Sequence, residues 1–265
     1  MNWSRDLWLG SAIWSAAVTA AYSLLGWTWL AIPWLPVASL ATAVAFYLGF
    51  KTNQSYDRLW EARKIWGAIV NASRSWAFTA RDMVSDQFHG HGEVAKEELH
   101  RHRETLVRRH VAWMDAFRHQ LRSIKSWEHR GERYDRLRGN VPERNEELSH
   151  VLDATLSASE RDEVLSKINP AAHLLANQSR HLGELREKRL IDGFSHMELQ
   201  KILIELMAQQ GKAERIKNFP LPRQYSTVNF FFAVAFCGLV PLGMLHAFSA
   251  HFLWMAIPFS SLVSW

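Results

Sequence analysis

The sequence predicts an all-α integral membrane protein with four transmembrane helices and a cytoplasmic helical domain. Three observations carry this. No Lys, Arg, Asp or Glu occurs between Asp6 and Lys51, and none follows Arg223. A bilayer's hydrocarbon core is about 30 Å thick and takes about 20 apolar residues per helix, so each uncharged block is long enough for two spans. Charge is concentrated between the blocks: of 31 Lys and Arg only Arg5 lies outside residues 51–223, and of 26 Asp and Glu only Asp6 does. The whole-chain mean hydropathy of -0.17 conceals this segregation. Finally, no segment alternates apolar and polar residues with the period of a strand.

The first block holds a span at about Leu7 to Leu25, a turn containing Gly26, Pro33 and Pro36, and a second span from about Pro36 to Phe50. Arg5 is offset by Asp6 and a second apolar run follows at once, so the block reads as a retained hairpin and not as a cleaved signal peptide. Trp27, Trp29 and Trp34 cluster at the turn, where indole rings suit the headgroup region. Apolar residues at Tyr56, Leu59, Trp60, Ile65, Trp66, Ile69, Val70 and Trp76 then recur at helical spacing, which predicts one long helix running on from the second span.

Residues 86–97 are polar, with Gly90 and Gly92, and read as a loop. Leu99, Leu106, His110, Trp113, Phe117, Leu121 and Ile124 define the apolar stripe of an amphipathic helix. Residues 128–148, with Gly131, Gly139 and Pro142, read as an irregular charged excursion. A short helix is expected over Glu160 to Ile168. Asn169-Pro170 is an N-cap followed by Pro at the first helical position, opening a helix to about Lys188. Ser195 and Glu198 form an S-x-x-E capping box before the stripe Leu199, Ile202, Leu203, Leu206 and Met207. Gly211 is expected to interrupt that helix, and Pro220 and Pro222 to end it. The third span is predicted at about Tyr225 to Leu245, and a fourth segment begins near Phe252 and is short at Trp265.

These elements divide the chain into a first transmembrane hairpin (1–50), a cytoplasmic helical domain (51–223), and the third span with the start of the fourth (224–265). Lys51, Arg58, Arg63 and Lys64 follow the first block, and Lys212, Arg215, Lys217 and Arg223 precede the second. Basic residues at both flanks place the middle segment, and with it the N-terminus, in the cytoplasm of a multi-pass inner-membrane protein. The formal net charge of +5 is spread among mixed-sign runs. That distribution argues against nucleic acid, which calls for a clustered basic face.

Little points to catalysis. The 13 histidines, including His89, His91, His100 and His102, show no zinc-hydrolase spacing and are expected to be solvated. There is no phosphate-binding glycine loop, no G-x-S-x-G and no redox cysteine pair, since Cys237 is the single cysteine. No enzyme, metal or cofactor is expected.

The second span is rich in small residues: Ala38, Ser39, Ala41, Thr42, Ala43, Ala45 and Gly49. Such residues favour close helix packing. Thr42, Phe46 and Phe50 recur every four residues and so share one face. That face either packs on a neighbouring span or, in a symmetric oligomer, forms a hydrophobic constriction around an axis.

The segment FYLGFKTNQSYDRLWEARKIWGAIVNASRSWA, Phe46 to Ala77, resembles the bacterial members of the bestrophin family. Gly49, Phe50, Lys51, Asn53, Tyr56, Arg58, Glu61, Ala62, Arg63, Lys64, Trp66 and Gly67 match the pattern that follows their second span. GKAERIKNFPLPRQY, through Glu214, Arg215, Ile216, Pro220 and Pro222, resembles the stretch before their third span. The resemblance implies a homopentameric ion channel in contact with membrane lipid, with the second span lining the pore. It implies a neck of three rings at Thr42, Phe46 and Phe50, where Thr42 is more polar than the family's usual residue. It also implies a cytosolic aperture at Phe194, with Ile191 as the alternative. Animal bestrophins pass anions, while bacterial members need not, so the sign of the ion stays open. The acidic segment that helps animal members bind calcium lies beyond their fourth span and has no counterpart before Trp265, so no calcium site carries over. A competing reading is a membrane-anchored helical scaffold or sensor that binds a soluble partner. It accounts for the charge segregation but not for the Gly-Phe motif.

Overall fold

The computed structural model describes residues 2–88, 94–125, 147–219, 223–248 and 250–263. His89, His91, Gly90, Gly92, most of the 128–148 excursion, Pro220, Pro222 and Trp265 lie outside these. Among the described residues all regular structure is helical: α1 (Asn2–Leu24), α2 (Trp34–Met83), α3 (Lys96–Arg122), α4 (Leu148–Asp153), α5 (Ala158–Leu165), α6 (Pro170–Glu187), α7 (Gly193–Asn218), α8 (Arg223–Met244) and α9 (Ala256–Val263). Short 3-10 turns at Thr28–Leu30 and Ala250–Met255 precede α2 and α9. The chain divides into two compact units, Met1–Arg58 with Pro220–Trp265, and Leu59–Phe219.

In the first unit, two helices are long and apolar enough to cross a membrane, one running within Thr28–Met83 and the other Thr227–Met244. Gly26, at φ 67°, makes the left-handed turn that frees the chain from α1. Helix α2 lies on α8 through Val37, Val44, Phe236 and Val240, all buried. At Gly243 of α8 an added Cβ would stand 3.0 Å from the side chains of Trp34 and Val37, which would have to shift to admit it. Pro241 breaks the hydrogen-bond ladder of α8 from within. Beside it the Trp14 indole N–H donates to the Gly238 carbonyl at 3.1 Å, tying α1 to α8. Val18, Leu245 and Leu253 form a second small apolar cluster with Leu30 and Leu242.

The second unit has one continuous core built on α3, α6, α7 and the lower half of α2. Trp76, Trp113 and Phe117 are fully buried, and the Trp113 and Phe117 rings stack at 5.6 Å. A buried aromatic removes about 200 Å² from water, worth on the order of 5 kcal/mol before ordering entropy is subtracted. Several large polar side chains in this core are hydrogen-bonded between helices. Trp113 Nε1 donates to Gln210 Oε1 at 2.8 Å, and Gln178 Nε2 donates to the Leu106 carbonyl at 2.7 Å. Glu214 Oε1 accepts from Gln120, Asn169 and Gln210 at 3.0, 3.1 and 2.7 Å. One carboxylate oxygen thus gathers donors from α3, α7 and the residue that caps α6.

The Asn169-Pro170 start is found as expected, with Asn169 Oδ1 accepting from Ala172 N at 3.0 Å. Two other expectations are corrected. Ser195 and Glu198 are not the cap of α7: Asp192 is, its carboxylate accepting from Ser195 N at 2.8 Å. An ionised acceptor at the positive end of a helix prevails over a hydroxyl three residues on. Glu198 bonds Lys201 instead. Gly211 does not interrupt α7, which runs on to Asn218. One helical glycine costs about 1 kcal/mol relative to alanine, less than the packing and the Glu214 bonds on either side return.

Replacing Glu214 with Ala leaves the half-buried Gln120 and Asn169 amides without that acceptor, and Gln210 with only its longer bond to Asn169 Oδ1 at 3.4 Å. It should lower stability by about 3 kcal/mol, while Glu214→Gln, which keeps an acceptor, should lose clearly less. Thermal unfolding of the purified chain measures both.

Candidate functional site

Helix α2 of the first unit has a packed face and a bare one. Val37 and Val44 are buried against α8, with Leu40 and Ala41 beside them. The Tyr47 ring meets that of Phe232 at 5.6 Å, on the same side. At 100° per residue, Thr42, Phe46 and Phe50 point the opposite way. Phe46 and Phe50 are each 64% exposed, and their rings stack on one another at 6.4 Å. Thr42 is exposed, and its hydroxyl donates to the Ala38 carbonyl at 3.1 Å. The helix itself therefore answers that polar group. Gly49 has nothing within 4 Å of where a Cβ would stand.

The residues that follow along α2 are mostly exposed. Asn53 and Tyr56 face outward and Arg58 is half-buried. Arg63 and Lys64 place their cations 5.7 and 5.8 Å from the Trp60 ring centre. Trp66 is exposed as well. Glu61 forms an ion pair with Arg215 of α7, joining the two stretches that were singled out by sequence. At α7 the two aperture candidates differ sharply. Phe194 is 82% exposed, whereas Ile191 is 2% exposed and belongs to the core.

A second feature was not foreseen. The helical unit holds a polar cavity of about 560 Å³ between α3, α5 and α6. Arg109 grips Glu160 with two hydrogen bonds, at 2.5 and 3.1 Å, and donates a third to His181 Nδ1 at 3.1 Å. His181 Nε2 lies 3.1 Å from His102 Nδ1. Asn177 donates to the same Glu160. Burial pushes His181 down to about 4, and the Arg109 cation adds to this. His102 is lowered mainly by burial, then by the positive charge of Lys188. The expectation of solvated histidines is thereby corrected for His102 and His181, while His110 is buried as its place in the apolar stripe implied. His110 is buried between Trp76 and Trp113 with neither ring nitrogen bonded among the described residues, and burial pushes it to about 4. His110 and His181 fall in the apolar registers of α3 and α6, and that was the available signal. Among the described residues no group of three His, Cys, Asp or Glu is placed to hold a metal.

Among the described residues the fold is all-helical, with two helices long and apolar enough to cross a membrane and an exposed aromatic stripe on one of them. The chain belongs to the bacterial/fungal bestrophin family, which matches residues 7–265. A protein of Ralstonia nicotianae named as a voltage-dependent anion channel-forming protein is 31% identical over 220 residues, covering 80% of this chain and 59% of its own length. An Escherichia coli K12 protein of the same designation is 24% identical over 210 residues, covering 79% of this chain and 58% of its own. The chain thus spans somewhat under two thirds of these relatives. The fold is that of a bacterial bestrophin homologue from Klebsiella pneumoniae, with a TM-score of 0.76 at 22% identity over 97% of this chain and 82% of that one.

The two faces of α2 should respond differently to truncation. Val44→Ala opens a gap in the α2–α8 contact and should cost about 1–2 kcal/mol. Phe46→Ala removes a ring with little packing around it and should leave the unfolding midpoint of the detergent-extracted protomer nearly unchanged. Thermal scans of the two variants side by side decide this.

Proposed function

We propose that this chain is a subunit of a homopentameric ion channel of the bacterial inner membrane, with four membrane segments and with its N-terminus and residues 51–223 in the cytoplasm. The observation that carries the reading is the uncovered stripe Thr42, Phe46 and Phe50 opposite a packed helix face. One protomer cannot enclose a pore, whereas closed symmetry brings one such stripe per subunit around a common axis. Each residue then contributes a ring. Two apolar rings at Phe46 and Phe50 form a neck that excludes water when narrow and conducts when wetted. Thr42 forms a more polar upper ring. Gly49 leaves room for a neighbouring helix to approach, in keeping with the small-residue composition of the span.

The cytosolic aperture is assigned to Phe194, supported by its exposure at the start of α7. Ile191, sequestered in the core, is set aside. The remaining motif residues, Asn53, Tyr56, Arg58, Glu61, Arg63 and Trp66, position the continuation of α2 and its link to α7. The Trp27 and Trp29 rings, 6.1 Å apart and exposed, suit an outer headgroup layer. The passage needs no cofactor, since conduction is passive. Apolar rings carry no sign of charge, so selectivity rests on the mouths. The names of the relatives make an anion such as chloride the first ion to test, with a cation as the alternative.

The neck assignment is tested by ion flux into liposomes holding the purified full chain. Phe46→Ala and Phe50→Ala should each raise flux several-fold with the oligomer intact on size exclusion. Thr42→Ile should lower it. Unchanged flux in both alanine variants, from protein of unchanged oligomeric state, overturns the assignment.

A further inference from the structure

We propose that the contact between His102 and His181 is a proton-operated latch, which ties α3 to α6 while both rings are neutral and lets go when His102 takes up a proton. The geometry sets a one-way order of hydrogen bonds. A guanidinium can only donate, so the Arg109 bond at 3.1 Å requires an unprotonated Nδ1 on His181. Neutral His181 then carries its hydrogen on Nε2, which faces His102 Nδ1 at 3.1 Å. His102 Nδ1 must accept, which leaves its own hydrogen on Nε2, directed to Glu98 at 3.8 Å. Arg109 is itself held in place by Glu160 of α5. The chain of contacts runs from Arg109 through both rings to Glu98.

A proton has no comfortable place in this order. On His181 Nδ1 it would set an N–H against the Arg109 guanidinium. On His102 Nδ1 it would set an N–H against the Nε2–H of His181. The first parts His181 from Arg109 and leaves its Nε2–H on His102; the second sets two N–H groups face to face and parts the rings. The same order leaves no free lone pair on His181, which disfavours a metal ion between the rings.

The charges facing the pair come from every element packed around it. Arg101 and Arg109 of α3 and Lys188, which caps α6, oppose protonation, while Glu98 of α3 and Glu160 of α5 favour it. Glu163, Arg180 and Glu184 complete the rim, and Glu163 is engaged by His173 at 2.9 Å. The cavity opens to solvent, which gives protons access and displaced rings room. Burial lowers both histidines in the folded chain, His181 to about 4. An unfolded histidine titrates near 6.5. Between those values the unfolded state binds more protons, so stability is full above about pH 6.5 and falls as pH drops toward about 4. The latch is closed at neutral pH and opens on the acid side. It stands independently of whether the protein conducts.

Glutamine presents one acceptor and one amide donor and does not titrate, so it can keep the hydrogen-bond order without the switch. The test is thermal unfolding of the full chain in detergent at about pH 7.5 and about pH 5 for wild type, His102→Gln, His181→Gln and the double variant. His110 titrates in all four and cancels. The melting temperature of wild type should fall by about 5 °C more than that of the double variant. Equal falls overturn the proposal. Should the glutamine variants not fold, hydrogen exchange of wild type decides. After correction for intrinsic rates, protection in 99–110 and 171–185 should drop on acidification before that of 199–206. A uniform drop, or none, overturns the latch.

Discussion

Helix α2 runs unbroken from Trp34 to Met83, and 50 residues at 1.5 Å each make it about 75 Å long. Away from its ends its backbone is satisfied internally, the condition a segment must meet if it is to enter hydrocarbon. What changes along it is the environment its side chains demand. The first part is uncharged and packs Val37, Leu40, Ala41 and Val44 against α8. The later part carries Lys, Arg, Asp and Glu outside and Ile65, Ile69 and Trp76 inside the core of the helical unit. Because a helix buries only one stripe, the first part can serve α8 and still leave Thr42, Phe46 and Phe50 bare. The proposed pore is a consequence of that geometry, and it costs the protomer little packing.

The helical unit solves a different problem. It surrounds α6 with α3 and α7 and must bring amide, indole and carboxylate groups into a dry interior. It does so with bonds that reach between helices, centred on Glu214 and on Leu106 O. The penalty for leaving one partner unmatched exceeds the net gain of a single matched bond. Such a network therefore specifies one arrangement of the helices more strongly than it stabilises it. His110 stands outside this pattern, a buried ring with no partner among the described residues, held only by the faces of Trp76 and Trp113.

Much of this was legible in the amino acids. Charge segregation marked the two helices that are long and apolar enough to cross a membrane, because hydrocarbon excludes ions whatever the tertiary context. The Asn169-Pro170 start and the Leu99–Phe117 stripe are local signals that packing did not override. The four-residue recurrence of Thr42, Phe46 and Phe50 announced a shared face, and the structure shows that face uncovered in the protomer. Where expectation failed, two local signals competed. Asp192 and Ser195 both offer a cap, and the choice rests on charge and on how α6 ends at Arg189, whose φ of 57° turns the chain. The cavity was illegible for another reason. His102 and His181 are 79 residues apart, and periodicity within one helix says nothing about which position on another it will meet.

The measurement that bears most directly on the central claim is the reversal potential across a planar bilayer containing the purified full chain under a KCl gradient. The account predicts a current that reverses away from zero, toward the equilibrium potential of one ion. The sign of the displacement then identifies that ion as chloride or potassium. A preparation shown to be pentameric that passes no current, even with both neck phenylalanines truncated, would contradict a pore lined by α2.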